Sequence, residues 1–118
     1  NQRADGLIVA TPTGTTAYAL SAGGPILHPS LDLISLVPVC PHNLSNRPIV
    51  VKSESQLEIL LRRTSNARVR LDSHSYFDLQ ENDQVVVPRY DRLACLLHPV
   101  GHSYYHTLRE KLLWNQTL

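Results

Sequence analysis

A chain of 118 residues with a formal net charge of +1 and an apolar fraction of 42% has enough material for one domain with a modest core. That near-neutral balance excludes a disordered chain and one built to bind polyanions, so no nucleic-acid partner is expected. No apolar run reaches the length of a membrane span, and no basic stretch followed by an apolar one marks a secretory signal, so the expectation is a cytoplasmic protein with no membrane partner.

The first predicted element is a strand over Gly6–Ala10, a short apolar run rich in β-branched residues. Thr11-Pro12-Thr13-Gly14 breaks it: Pro12 lacks an N–H and biases Thr11 towards extended backbone, and Gly14 permits a sharp turn. Residues 15–22 have the length of about two helical turns, and Gly23-Gly24-Pro25 stops them. The unit is strand, hydroxyl-rich turn, short helix, double-glycine stop. Its chemistry suits a nucleoside or nucleotide. The first amides of a short helix are unpaired, and Thr13, Thr15 and Thr16 add hydroxyls that donate and accept. Tyr18 offers a flat face, Ser21 stands five residues beyond Thr16, and Asp5 has a carboxylate for two ribose hydroxyls. The competing reading is a capped helix whose threonines satisfy their own backbone.

After the connection over residues 25–29, an apolar stretch from Leu31 to Val39 is cut by Pro38 and Pro41, which predicts an edge strand or irregular extended segment. Residues 42–48 read as a loop and 49–51 as a short strand. Residues 56–63 form a better strand, with Leu57, Ile59 and Leu61 on one side. Residues 64–66 are a turn by composition. Residues 68–72 alternate, with Val69 and Leu71 inward and Arg68 and Arg70 outward. A polar turn at 72–75 leads to a strand at 76–79, and a hairpin-type turn at 81–83 to strands at 85–87 and 93–97. At 104–114 the period becomes helical, placing Tyr105, Leu108 and Leu112 on one face. The fold expected is β-rich, mainly an antiparallel β-sandwich, with a short helix after the first strand and a C-terminal helix.

Other constellations carry bland readings. Cys40 and Cys95 share no metal-type spacing and have apolar sequence neighbours, which predicts buried free thiols, with a disulfide as the alternative. His98, His102 and His106 recur every four residues, but Pro99 and Gly101 interrupt a helix there, so no metal site is expected. Arg62, Arg63, Arg68 and Arg70 are expected in a basic hairpin whose charges form a solvated face.

The run from Asp5 to Pro25, D-G-L-I-V-A-T-P-T-G-T-T-A-Y-A-L-S-A-G-G-P, resembles the signature of NAD kinases, in which D-G-L precedes T-P-T-G-[ST]-T-A-Y and S-x-G-G. The resemblance continues through H-P-S-L-D at 28–32, L-V-P-V-C-P-H at 36–42, N-R-P-I-V-V at 46–51 and L-L-H-P-V-G-H-S-Y-Y-H-T-L-R-E-K-L-L-W at 96–114. It is closest to the bacterial enzymes. It implies that Asp5 contacts the substrate's ribose with Arg3 nearby, and that Thr16, Ala17, Tyr18 and Ser21 line the dinucleotide. Ala17 is small enough to let a ring approach the backbone. Ala19 and Leu20 lie in the same segment, with packing as their alternative role. His74, in the polar turn, matches a position where the family places a further contact, and Cys40 falls near another.

Family members also carry a G-G-D-G motif, whose aspartate is catalytic, in an N-terminal α/β domain, and an N-[DE] pair that holds adenosine. The G-G-D-G motif does not occur in this sequence, and its one N-[DE] pair, Asn82-Asp83, falls in the predicted hairpin-type turn at 81–83. The resemblance therefore implies that residues 1–118 are the C-terminal, NAD-binding domain, with no catalytic residue and no metal ligand of their own. The whole enzyme would transfer a phosphoryl group from ATP, with Mg2+, to the 2′-hydroxyl of the adenosine ribose of NAD, giving NADP. It would be a homo-dimer or homo-tetramer, and its C-terminal helix would pack against the N-terminal domain. The alternatives are a non-catalytic β-rich nucleotide-binding or assembly module and a lipid kinase. Diacylglycerol and sphingosine kinases share the broad architecture but lack this form of the T-P-T-G run.

Overall fold

The computed structural model describes residues 4–63 and 66–114. Among them lie seven strands, a 3-10 turn and two α-helices. Strand β1 (Gly6–Ala10), the 3-10 turn (Thr13–Thr16) and helix α1 (Tyr18–Ser21) come first. Strands β2 (Leu33–Val39), β3 (Ile49–Lys52), β4 (Leu57–Leu60), β5 (Ala67–Leu71), β6 (Ser75–Leu79) and β7 (Gln84–Val87) follow, then helix α2 (Tyr104–Leu112). Every pairing is antiparallel, as expected. The strands fall into a three-stranded sheet, β1-β2-β3, and two two-stranded ladders, β4-β7 and β5-β6.

The seven-residue β2 is the centre of its sheet, which corrects the edge-strand expectation. It pairs with β1 from Gly6↔Val39 to Ala10↔Ser35, but with β3 only from Leu33↔Lys52 to Leu36↔Ile49. Pro38 stands beyond the β3 pairing, opposite Leu7. The missing N–H is thus tolerated at a position that is locally an edge, although the strand as a whole is central.

The β5–β6 hairpin is inserted between β4 and β7, which pair from Leu57↔Val87 to Leu60↔Gln84. Asp72 (φ 52°) lies in the β5–β6 turn and Asn82 (φ 70°) in the turn before β7. Asp and Asn enter the left-handed region most readily after glycine, which is why the composition marked both turns. The basic hairpin does not form as expected. Arg62 and Arg63 follow β4, Arg68 and Arg70 lie on β5, and β4 pairs with β7 instead. Thr64 and Ser65 of the predicted turn lie outside the described residues.

Three further expectations change. Residues 93–97 form no strand: a β-prone run becomes one only against a partner edge. Among the described residues none pairs with it, and Leu93, Leu96 and Leu97 are exposed. Leu71 is exposed rather than inward. Cys40 and Cys95 are free but both exposed, because apolar neighbours in sequence are not neighbours in space.

The buried centre sits where α1 lies against the sheet. Ala10, Ala19 and Val37 form it, with Ile8 and Ala22 packed alongside. Gly23 and Gly24 close the helix in a Schellman arrangement: Gly24 N–H donates to Ala19 O at 2.9 Å, Gly23 N–H donates to Leu20 O at 3.0 Å, and Gly23 takes φ 87°. Helix α2 is capped by Ser103, whose Oγ accepts from His106 N–H at 3.3 Å. Tyr104, not Tyr105, is its half-buried tyrosine.

A polar clamp joins the sheet to the chain after β7. Ser53 Oγ donates to Asp32 Oδ1 at 2.6 Å, and Arg89 Nη1 lies 3.1 Å from Asp32 Oδ2 and from Ser53 Oγ. The Ser53 hydrogen bond holds the Asp32 pKa below its ordinary 3.8; desolvation opposes it, and the charge and hydrogen bond of Arg89 lower it further. A depressed carboxyl pKa stabilises the fold fully above the ordinary value, and that contribution is lost below it, as pH falls through the depressed folded-state pKa. Asp32→Asn is therefore expected to melt below wild type at neutral pH, with the gap closing below pH 3.8. A gap that is the same at both pH values in thermal denaturation would contradict the clamp.

Candidate functional site

The residues singled out by the opening motif divide into an inward set that anchors the turn and an outward set that is presented. Thr15 is fully buried. Its Oγ1 donates to Pro12 O at 2.6 Å and accepts from Leu27 N–H at 3.1 Å. One hydroxyl thus closes the turn on itself and staples it to the returning chain twelve residues later. For Thr15 the self-satisfying reading of the motif holds, and the exposed Thr16 hydroxyl also reaches back within the turn, donating to Thr13 O at 3.4 Å. These bonds also explain why residues 15–22 are not one helix. The 3-10 turn closes through Thr15 N–H to Pro12 O at 3.2 Å and Ala17 N–H to Gly14 O at 3.1 Å. Ala17 then leaves helical backbone (φ −98°, ψ −127°) before α1 restarts. Several amides expected to be free are spent within the turn: Gly14 N–H reaches Thr11 Oγ1 at 3.4 Å, and Leu20 N–H reaches Ala17 O at 3.1 Å.

Ala19 is also inward and fully buried against Val37, so its side chain seats α1. Leu20 is half-buried. Thr16, Ala17, Tyr18 and Ser21 all face solvent. Tyr18 is 64% exposed, which removes the reading of it as a core aromatic. A hydroxyl, a small methyl, a phenol ring and a second hydroxyl are therefore displayed on a short segment whose reverse side is the best-packed part of the molecule.

Asp5 stands at the other end of β1, its backbone N–H donating to Val39 O at 2.9 Å. Its carboxylate is 63% exposed and lies 3.0 Å from His42 Nε2. This partner was not singled out from the sequence. The two residues are 37 positions apart, a separation with no periodic meaning, and the only trace was His42 at the end of the L-V-P-V-C-P-H block. Cys40 lies between Val39 and His42 in the left-handed region, φ 46°, with its thiol exposed. His74 is exposed at the tip of the β5–β6 hairpin, on a different ladder from the turn. Arg3 lies outside the described residues.

Other groups do not converge on this surface. An open depression of about 550 Å3 lies over β5–β6, lined by Asn66, Ala67, Arg68, Arg70, Asp78 and Leu79. Arg68 is committed there, to Asp78 at 2.7 Å and to the Tyr76 ring at 3.9 Å. His98 and His102 stack their rings at 4.0 Å, and His106 turns to Glu110 at 3.4 Å. Among the described residues no three His, Cys, Asp or Glu side chains are placed to hold a metal ion. No helix among them is long and apolar enough to cross a membrane.

The chain folds as an antiparallel β-domain that presents hydroxyls and an aromatic ring from a tight turn between its first strand and a core-seated helix. Residues 1–97 match the ATP-NAD kinase C-terminal domain, and the chain belongs to that family. It is 69% identical over 113 residues to the NAD kinase of Nitrosospira multiformis, covering 96% of this chain and 38% of that protein. It is 58% identical over 118 residues to that of Thiobacillus denitrificans, covering 100% of this chain and 41% of that protein. The chain thus spans about two fifths of the length of these relatives. Among solved structures, yeast NADH kinase complexed with NADH superposes with a TM-score of 0.76 and 26% identity, over 99% of this chain and 37% of that one. An NAD kinase from Archaeoglobus fulgidus in complex with ATP gives 0.68 and 33%, over 76% and 34%.

Proposed function

We propose that this chain is the dinucleotide-holding part of an NAD kinase that phosphorylates the 2′-hydroxyl of the adenosine ribose of NAD with ATP. The observation that carries the reading is the division of the turn. Thr15 and Ala19 lock it to the core while Thr16, Ala17, Tyr18 and Ser21 are held out to solvent. A surface so rigidly seated and so exposed is built to meet a ligand. Asp5 adds a carboxylate at the start of β1, the strand against which α1 lies, and a ligand rich in hydroxyls, as a dinucleotide is, suits both. His42 orients the Asp5 carboxylate, and Arg3, Leu20 and His74 are the remaining substrate contacts of the proposal. The relatives' own complexes, one with NADH and one with ATP, support the substrate pair.

Phosphoryl transfer needs a base near the attacking hydroxyl and neutralisation of the phosphate charge. This sequence contains no G-G-D-G motif, so both tasks fall to an N-terminal α/β domain outside residues 1–118. The Mg2+ that would accompany ATP has no fitting ligand set among the described residues. The enzyme works in the cytoplasm as a homo-oligomer. The apolar side of the β5–β6 hairpin, where Leu71 and Phe77 are 53% and 61% exposed, is a surface such assembly would cover.

A coupled assay for NADP formation tests the proposal. Full-length polypeptide is expected to turn over and residues 1–118 alone to be inactive. Turnover by residues 1–118 alone would overturn the division of labour. No turnover by the full-length polypeptide would leave a non-catalytic nucleotide-binding module.

A further inference from the structure

We infer that His28 is a positioning residue through which the C-terminal helix α2 steadies the dinucleotide turn, an inference that rests on the functional reading above. Helix α2 buries none of its residues and makes no extensive contact with any other helix or strand among the described residues. Its foothold is aromatic. The His28 ring meets Tyr104 edge-on at 4.7 Å and Tyr105 at 5.6 Å, and the two tyrosines lie 5.4 Å apart. Tyr104 is pressed in far enough that its Oη is enclosed with no hydrogen-bond partner among the described residues. The His28 ring is itself fixed, because Nδ1 accepts from Ser30 N–H at 3.1 Å and lies 2.7 Å from Ser30 Oγ.

The residue before His28 is Leu27, which is buried and donates its N–H to Thr15 Oγ1 at 3.1 Å. Thr15 is followed directly by Thr16, Ala17 and Tyr18, the residues held out to solvent. One short path therefore runs from the helix rings through His28 and Leu27 to Thr15 and the presented surface. Aromatic contacts of this geometry favour one arrangement over others, so losing the ring frees the return limb that Thr15 grips.

The test uses full-length polypeptide with His28→Ala, His28→Phe and, as a milder second variant, Tyr105→Ala. His28→Ala is expected to speed hydrogen exchange at the Leu27 amide by about tenfold while the Val37 amide in the β1–β2 ladder is unchanged. It is expected to raise the KM for NAD by about threefold to tenfold, with kcat and the KM for ATP within about twofold of wild type. His28→Phe, which keeps a ring, should restore most of both effects, and Tyr105→Ala should move both in the same direction by less. Unchanged Leu27 exchange overturns the inference. So does faster exchange without a shift in KM for NAD, or a rise shared by Val37 with no rescue by His28→Phe. Should His28→Ala not fold, Tyr105→Ala decides by the same readouts. Wild-type protein that makes no NADP sinks the functional reading, whereas the exchange at Leu27 reports the His28 contact without turnover.

Discussion

Gly24→Ala is expected to lower stability by about 1–3 kcal/mol, with weaker NAD binding in proportion, because it overpacks the one place where α1 meets the sheet. A Cβ on Gly24 would stand 2.7 Å from Val37 Cγ2 and 2.9 Å from Ala19 O. Val37 is fully buried and Ala19 O belongs to the backbone, so neither can give way cheaply. The neighbouring glycine supplies the control. A Cβ on Gly23 meets nothing within 4 Å among the described residues, but φ 87° puts an L side chain in the left-handed region, so Gly23→Ala should cost only about 1 kcal/mol. Thermal denaturation separates the two. Gly24→Ala melting level with wild type would show that the helix is not seated as described.

The second large effect is expected at Asp5. Its carboxylate is exposed, aimed by His42 at 3.0 Å, and stands at the end of the strand that leads into the turn. A charge-assisted hydrogen bond to a ribose hydroxyl contributes about 1.5–3 kcal/mol. Asp5→Ala in the full-length polypeptide should therefore raise the KM for NAD by about tenfold to a hundredfold and leave the KM for ATP near its wild-type value. Asp5→Asn keeps one acceptor oxygen and should fall between the two. Steady-state kinetics with both KM and kcat unchanged in Asp5→Ala would remove Asp5 from the site.

Much of this was legible in the sequence, and the exceptions have physical causes. The bounds of β1, the polar turns at 72–75 and 81–83 and the C-terminal helix follow from local rules: an apolar β-branched run, residues that tolerate positive φ, and a 3.6-residue period. What depended on a distant partner was hidden. Pro38 looked like an edge marker because a single sequence does not show that β3 stops pairing at Leu36. Residues 93–97 looked like a strand because their composition is right and the lack of a partner edge is not a property of composition. Cys40 looked buried among Val39 and Pro41, yet its own left-handed backbone turns it out.

The site shows the same split. The motif marked the turn, and the resemblance marked Asp5 and residues 16–21. Which hydroxyls face in and which face out was decided by Leu27, twelve residues downstream, whose amide draws Thr15 into the core. The partner of Asp5 was decided by a loop that returns His42 to the start of β1. Both are long-range hydrogen bonds, and neither leaves a local signal.

Titration of NAD into isotopically labelled full-length protein, followed amide by amide, bears most directly on where the dinucleotide sits. Saturable shifts should gather at Asp5, Thr16, Ala17, Tyr18 and Ser21 and leave the Asp32–Ser53–Arg89 clamp quiet. Saturable binding that leaves residues 16–21 unmoved, or no binding at all, would mean that the turn after β1 serves another purpose.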